Sequence, residues 1–157
     1  MDSSLQPGVR IGRLKDAPTI AQLLHDFNLE FDAPTPSPDQ LAERIRELLK
    51  DDEITVLLAG EGPDGLAVLR FRPAIWSVAL ECYLAELYVI PGGRGRGVGR
   101  ALTQAALATA RRRGADRIEV GTSESDVAAR ALYESLGFSN REGDPDRPIM
   151  YFYERGL

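Results

Sequence analysis

A mixed α/β (α+β) fold, a mostly antiparallel sheet flanked by about four helices, is predicted by three observations. Apolar, β-branched stretches at 53–59, 66–71 and 78–90 follow one another with short turns between them, as in a meander. Apolar stripes at helical spacing stand before and after that meander. The run from 87 to 120 reads strand, glycine turn, helix, strand, which requires one parallel crossover.

Each element follows from local chemistry. Val9 to Arg13 alternates apolar and basic residues and reads as a short strand. Asp16 stands at an N-cap position, Pro18 lies just inside the helix, and Ile20, Leu23, Leu24 and Phe27 form its apolar face. Prolines at 34, 36 and 38 interrupt regular structure. Ser37-Pro38 then restarts a helix with the stripe Leu41, Ile45, Leu48 and Leu49. Glu53 to Ala59 is a strand, the turn Gly60 to Gly65 joins it to Leu66–Phe71, and Val78 to Ile90 is a long third strand. Val98, Leu102, Ala105 and Ala106 mark a helix that Gly114 stops, and Arg117 to Val120 is a strand. Ala129, Leu132, Tyr133 and Leu136 mark the last helix, ended by Gly137, and Phe138–Glu142 with Ile149–Glu154 close the chain as a strand pair.

With 157 residues, 43% of them hydrophobic, the chain can bury one core but hardly two, so a single domain over 1–157 is expected. No apolar run approaches the roughly 20 residues of a membrane span, and Met1-Asp2-Ser3-Ser4 lacks the basic-then-apolar start of a signal peptide. A cytoplasmic protein with no membrane partner is expected. Cys82 and His25 are the only residues of their types, which argues against disulfides and against a metal site. A net charge of −5 argues against nucleic acid as a partner and suits a cationic small substrate. The one basic run, Arg111-Arg112-Arg113, falls at a helix C-terminus, where positive charge complements the dipole.

Two motifs carry the chemistry. The first is Leu87-Tyr88-Val89-Ile90-Pro91-Gly92-Gly93-Arg94-Gly95-Arg96-Gly97-Val98-Gly99-Arg100, a strand running through a glycine turn into a helix. Glycines at 95, 97 and 99 let successive N–H groups close on phosphate oxygens at a helix N-terminus, and Arg94, Arg96 and Arg100 add positive charge. It is not a Walker loop, since no Gly-Lys precedes Ser or Thr, and the spacing G-x-G-x-G is not that of a dinucleotide fold. The second motif is Ala129, three residues, Tyr133, three residues, Gly137-Phe138.

The element order and both motifs resemble the GCN5-related N-acetyltransferase (GNAT) superfamily over nearly the whole chain. The family's loop reads Arg or Gln, two variable residues, Gly, one variable residue, then Gly or Ala, which Arg94, Gly95-Arg96, Gly97, Val98 and Gly99 match without a gap. The resemblance implies a six- to seven-stranded sheet with a central splayed parallel strand pair that admits acetyl-coenzyme A. It implies that Leu87 and Val89 pair through their backbone with the pantetheine arm, that the N–H groups from Gly95 to Arg100 hold the pyrophosphate, and that Val89 N–H stabilises the thioester oxygen. Tyr133 would be the general acid for the departing thiolate. Asp126 stands where the family places an asparagine beside the coenzyme; it can accept a hydrogen bond or cap the helix, but cannot donate through an amide.

Transfer to an amine also needs a base, because an alkyl amine near 10.4 is protonated at neutral pH. The positions that often hold the base in the family carry Tyr83 and Ala85. Glu81 shares their face by strict alternation, and Glu86 joins it only if a bulge flips the register. Both carboxylates are candidates, acting through water. Glu30, Asp32 and Asp39 can attract a cation, while Trp76 and Phe71 either line an acceptor pocket or pack. His25 reads as a half-buried structural residue and Cys82 as a packing residue, so transfer is direct, without an acyl-cysteine. The expected partner is a primary amine of a small molecule or peptide; a homodimer is compatible with these features. A non-catalytic acyl-coenzyme A sensor is the alternative that the absent base leaves open.

Overall fold

The structure, a computed structural model, describes residues 8–157, so the Met1–Ser4 stretch lies outside the described residues. It divides into two units, one running to Val120 and one beginning at Gly121.

The first unit is built on a five-stranded sheet in the order β1-β2-β3-β4-β5, formed by Val9–Ile11, Thr55–Ala59, Gly65–Pro73, Leu80–Val89 and Ala115–Val120. The first four strands are antiparallel to their neighbours, and β4 and β5 are parallel. Helices α1 (Ala17–Glu30) and α2 (Pro38–Lys50) precede β2, and α3 (Val98–Arg112) makes the crossover.

Register decides which side chains face which layer. Val56 pairs with Val68 and Leu58 with Leu66, and these four pack with Ala17, Ile20, Leu23, Ile45, Ile54 and Tyr88 in the core under α1 and α2. The opposite face takes α3. At its C-terminal end the Arg113 guanidinium sits 4.3 Å over the Phe71 ring, donates 2.9 Å to Thr55 Oγ1 and reaches Asp52 at 3.2 Å. Part of the basic run is therefore engaged in holding α3 to the sheet. Phe71 packs here, and Trp76 is 93% exposed in the β3–β4 connection.

Local signals explain the helix starts. Ser37 Oγ accepts from Gln40 N at 3.2 Å and Gln40 Oε1 accepts from Ser37 N at 3.0 Å, a capping box reinforced by Pro38. Asp16 occupies the N-cap of α1, but its side chain does not cap that helix. It accepts instead from both Arg10 Nη atoms at 2.9 Å and from Arg13 N at 2.8 Å, closing the short 3-10 turn Leu14–Asp16 onto β1. The proline-rich segment is tied to α1 by His25 Nδ1 to Pro36 O, 2.9 Å, and by Asn28 Nδ2 donating to Pro34 O, 3.2 Å.

The second unit contains α4 (Val127–Ser135). The expected closing strands are corrected here: between Phe138 and Glu154 there is one isolated antiparallel bridge, Arg141 to Ile149, and no strand. Gly143, Pro145 and Pro148 break the intervening backbone, and Met150 to Tyr153 are exposed. Among the described residues five strands are present rather than six or seven, and the parallel pair lies at one edge of the sheet rather than at its centre.

Candidate functional site

Strand β4 is bulged. Val68 pairs with Glu86 and Leu69 with Leu84, so Ala85 is the extra residue. Beyond it the faces exchange: Glu81, Tyr83, Glu86 and Tyr88 lie opposite Arg72, Arg70, Val68 and Leu66 on the α1/α2 face. Strict alternation assigns Glu86 to the other face; the bulge brings it to the side of Glu81 and Tyr83.

The same strand has an open edge. On its β5 side pairing runs from Leu80 to Leu84, opposite Ala115 to Val120, and stops. On its β3 side, Ile90 N donates to Asp64 O at 2.9 Å, which makes Gly65 and Val89 a non-hydrogen-bonded pair. By alternation Leu87 and Val89 both turn their N–H and C=O groups away from β3, toward the edge that β5 no longer covers.

The loop continues from that edge. After the 3-10 turn Pro91–Gly93, Gly95 and Gly97 take positive φ of 76° and 80°, and Gly97 is the N-cap of α3. A Cβ at either position would meet nothing within 4 Å, so backbone conformation, not crowding, selects glycine there. The first intrahelical bond of α3 is Ala101 N to Gly97 O, 2.9 Å, and no side chain caps the helix. The N–H groups of Val98, Gly99 and Arg100 thus have no carbonyl of their own helix to meet, a disposition suited to an anion. Arg96 is exposed. The Arg94 side chain points elsewhere: its Nε donates to Val89 O at 3.0 Å and Nη2 to Glu30 Oε2 at 2.6 Å.

The two candidate carboxylates differ. Glu81 Oε2 is held by Arg72 Nε at 2.7 Å, and Arg72 also reaches Glu119 at 3.5 Å. The Glu86 carboxylate makes no hydrogen bond or ion pair among the described residues. It has solvent-accessible surface, yet the surrounding chain desolvates its carboxyl and pushes it above the ordinary glutamate range, with the Arg70 charge opposing. Arg70 was not legible as part of this site, because only the pairing of β3 with β4 brings it near.

In the second unit, Asp126 Oδ1 accepts from Ala129 N at 3.0 Å and so caps α4. Tyr133 is 8% exposed, its ring 5.5 Å from that of Phe138. Burial first, and the Asp126 charge second, push its hydroxyl up to about 12. No hydrogen bond to that hydroxyl is formed among the described residues, and it is not among sealed polar atoms. Cys82 is buried in β4, where desolvation pushes its thiol up to about 11, far from thiolate at neutral pH. Among the described residues no cluster of His, Cys, Asp or Glu is arranged to hold a metal, and no helix is long and apolar enough to cross a membrane.

A family model described as the acetyltransferase (GNAT) family matches residues 19–138. Mycothiol acetyltransferase of Beutenbergia cavernae is 44% identical over 104 residues, which are 64% of this chain and 33% of that protein, so the chain spans a third of that relative's length. An uncharacterized N-acetyltransferase of Bacillus subtilis is 27% identical over 137 residues, covering 86% of this chain and 91% of its own. The crystal structure of an Arthrobacter sp. FB24 protein assigned as an acetyltransferase superposes with a TM-score of 0.89 at 46% identity, over 100% of both chains. The family match takes in the bulged strand, the glycine loop and α4 together, and the chain belongs to the acetyltransferase (GNAT) family.

Proposed function

We propose that the protein is an acetyl-coenzyme A-dependent N-acetyltransferase that delivers the acetyl group directly to a primary amine of a small molecule or peptide. The observation that carries this reading is the open edge of β4 at Leu87 and Val89, which leads straight into the positive-φ glycines and the uncapped N-terminus of α3. When bound, acetyl-coenzyme A supplies an activated acetyl thioester. The N–H groups from Gly95 to Arg100 hold its pyrophosphate, favoured by the α3 dipole by roughly 0.3–1 kcal/mol. Leu87 and Val89 pair with its amides in the manner of an added strand. Val89 N–H then donates to the carbonyl oxygen as negative charge builds there.

Glu86, through a water molecule, takes the proton that frees the amine lone pair for attack on the carbonyl carbon. It is preferred over Glu81, whose carboxylate is committed to Arg72. As the carbon–sulfur bond breaks, the Tyr133 hydroxyl gives its proton to the sulfur and is restored by the proton that the acylated nitrogen sheds; the inert thiol of Cys82 supports transfer without an acyl-enzyme. Asp126 contributes to the coenzyme site by capping the helix that carries Tyr133. The acidic net charge suits a cationic acceptor, and the mycothiol acetyltransferase relatives put a mycothiol-related amine first in an acceptor panel.

The test joins melting to turnover. Coenzyme at about a hundred times its dissociation constant should add roughly 2.7 kcal/mol to the folded state, and free thiol should be released above background with at least one amine. Stabilisation without thiol release for any amine would favour a binding module, and neither effect would overturn the assignment.

A further inference from the structure

Arg94 opens the loop motif, yet its guanidinium is engaged by residues of the first unit. Nε donates to Val89 O at 3.0 Å, Nη2 to Glu30 Oε2 at 2.6 Å, and Cζ lies 5.9 Å from the centre of the Tyr88 ring. Tyr88 in turn stacks on Phe27 of α1, centroids 4.9 Å apart at 19°. These partners come from the end of β4 and the last turn of α1, and they converge on the residue that precedes Gly95.

Glu30 is poorly placed by local rules. It ends α1, where unpaired carbonyls make a carboxylate unfavourable, and no basic residue stands in that last turn. Its counter-charge arrives from 64 residues further along the chain. A carboxylate kept against the dipole, its only counter-charge among the described residues the loop arginine and its other hydrogen-bond partner the Tyr88 hydroxyl beneath that arginine, has its use in the loop. Arg94 itself is extended, with φ −74° and ψ 153°, between the 3-10 turn and the left-handed Gly95, so a fixed guanidinium also fixes where the run of N–H groups begins.

We infer that Glu30 is a positioning residue for the coenzyme loop: by holding Arg94 across the end of β4 it sets the shape of Gly95–Arg100, and Arg94 serves the phosphate through that shape rather than by contact. The inference rests on the coenzyme site proposed above. The two roles for Arg94 predict opposite signs for Glu30→Gln. A direct phosphate ligand released from its carboxylate would bind coenzyme at least as well, whereas a latch that is lost leaves the loop less ordered.

The experiment compares wild type, Glu30→Gln, Glu30→Asp and Arg94→Lys by calorimetry with coenzyme A, by KM and kcat for acetyl-coenzyme A, and by hydrogen exchange of amides 92–97 in the free protein. Glu30→Gln is expected to weaken coenzyme binding and raise KM about threefold to tenfold, with kcat at saturation moved far less and faster exchange in the loop. Glu30→Asp should recover part of the affinity. Arg94→Lys should resemble Glu30→Gln, because an ammonium cannot bridge Val89 O and Glu30 together. Unchanged or tighter binding by Glu30→Gln overturns the inference, as does a lower melting temperature with affinity intact. Failure of the wild type to bind coenzyme A would instead overturn the proposed function, and loop exchange unchanged in Glu30→Gln would then overturn the latch as well.

Discussion

Tyr133, which is buried, and Glu86, which is exposed but desolvated by the chain around it, are both pushed up, with opposite consequences for a proton. A hydroxyl at about 12 keeps its proton through the neutral range, which is the state an acid needs. Tyr133→Phe should cut thiol release about a hundredfold or more while coenzyme affinity by calorimetry is retained; unchanged turnover removes the role. A base needs the deprotonated form, so a raised Glu86 delays activity as pH increases. The acidic limb of kcat/KM should fall above the ordinary glutamate value of about 4.3, and Glu86→Gln should lower activity and abolish that limb. Glu81→Gln, which removes one of the two carboxylates paired with Arg72, should leave the limb in place.

Elements carry the next layer. α2 begins where Ser37, Pro38 and Gln40 say it must, and α4 where Asp126 does. α3 begins on a glycine with no side chain to offer, so no cap closes its N-terminus. Gly97→Ala meets no atom but must hold φ near +80°, a strain of roughly 1–2 kcal/mol. Denaturant unfolding should register that loss, and calorimetry a weaker coenzyme affinity, since relief of the strain turns the cradle out of shape. Stability lost with affinity unchanged would separate the glycine from the binding of phosphate.

Acid stability belongs to the whole molecule, because each carboxylate contributes through the difference between its folded and unfolded values. Asp16, held by the Arg10 fork, the Arg13 amide and nearby positive charge, is lowered to about 2. Its folded value lies below its unfolded one, so its contribution is complete above the unfolded value of about 3.9 and is lost as pH falls toward 2. Glu30 acts with the same sign beside Arg94, and Glu86, raised, with the opposite one. Asp16→Asn should cost on the order of 2 kcal/mol at pH 7 and much less at pH 2, read from urea midpoints at the two pH values. An equal loss at both would assign the residue's effect to packing.

Sequence alone determined what is local. Helical stripes, Ser37 ahead of Pro38, apolar runs in β2 to β4, and alternate glycines where a strand passes into a helix each describe a short stretch of backbone whose preference is its own. Glu86's face, the open edge at Val89 and the partner of Arg94 were decided only by tertiary structure. One extra residue at Ala85 leaves no local trace, yet it reverses every side chain after it; the end of β5 depends on a crossover; and Glu30 meets Arg94 across 64 residues. The closing strands mark the same boundary, since apolar residues at 149–153 state a tendency to extend while a ladder requires a partner edge. Conformational preference is written residue by residue, whereas pairing and register are energies between distant segments and exist only once those segments meet.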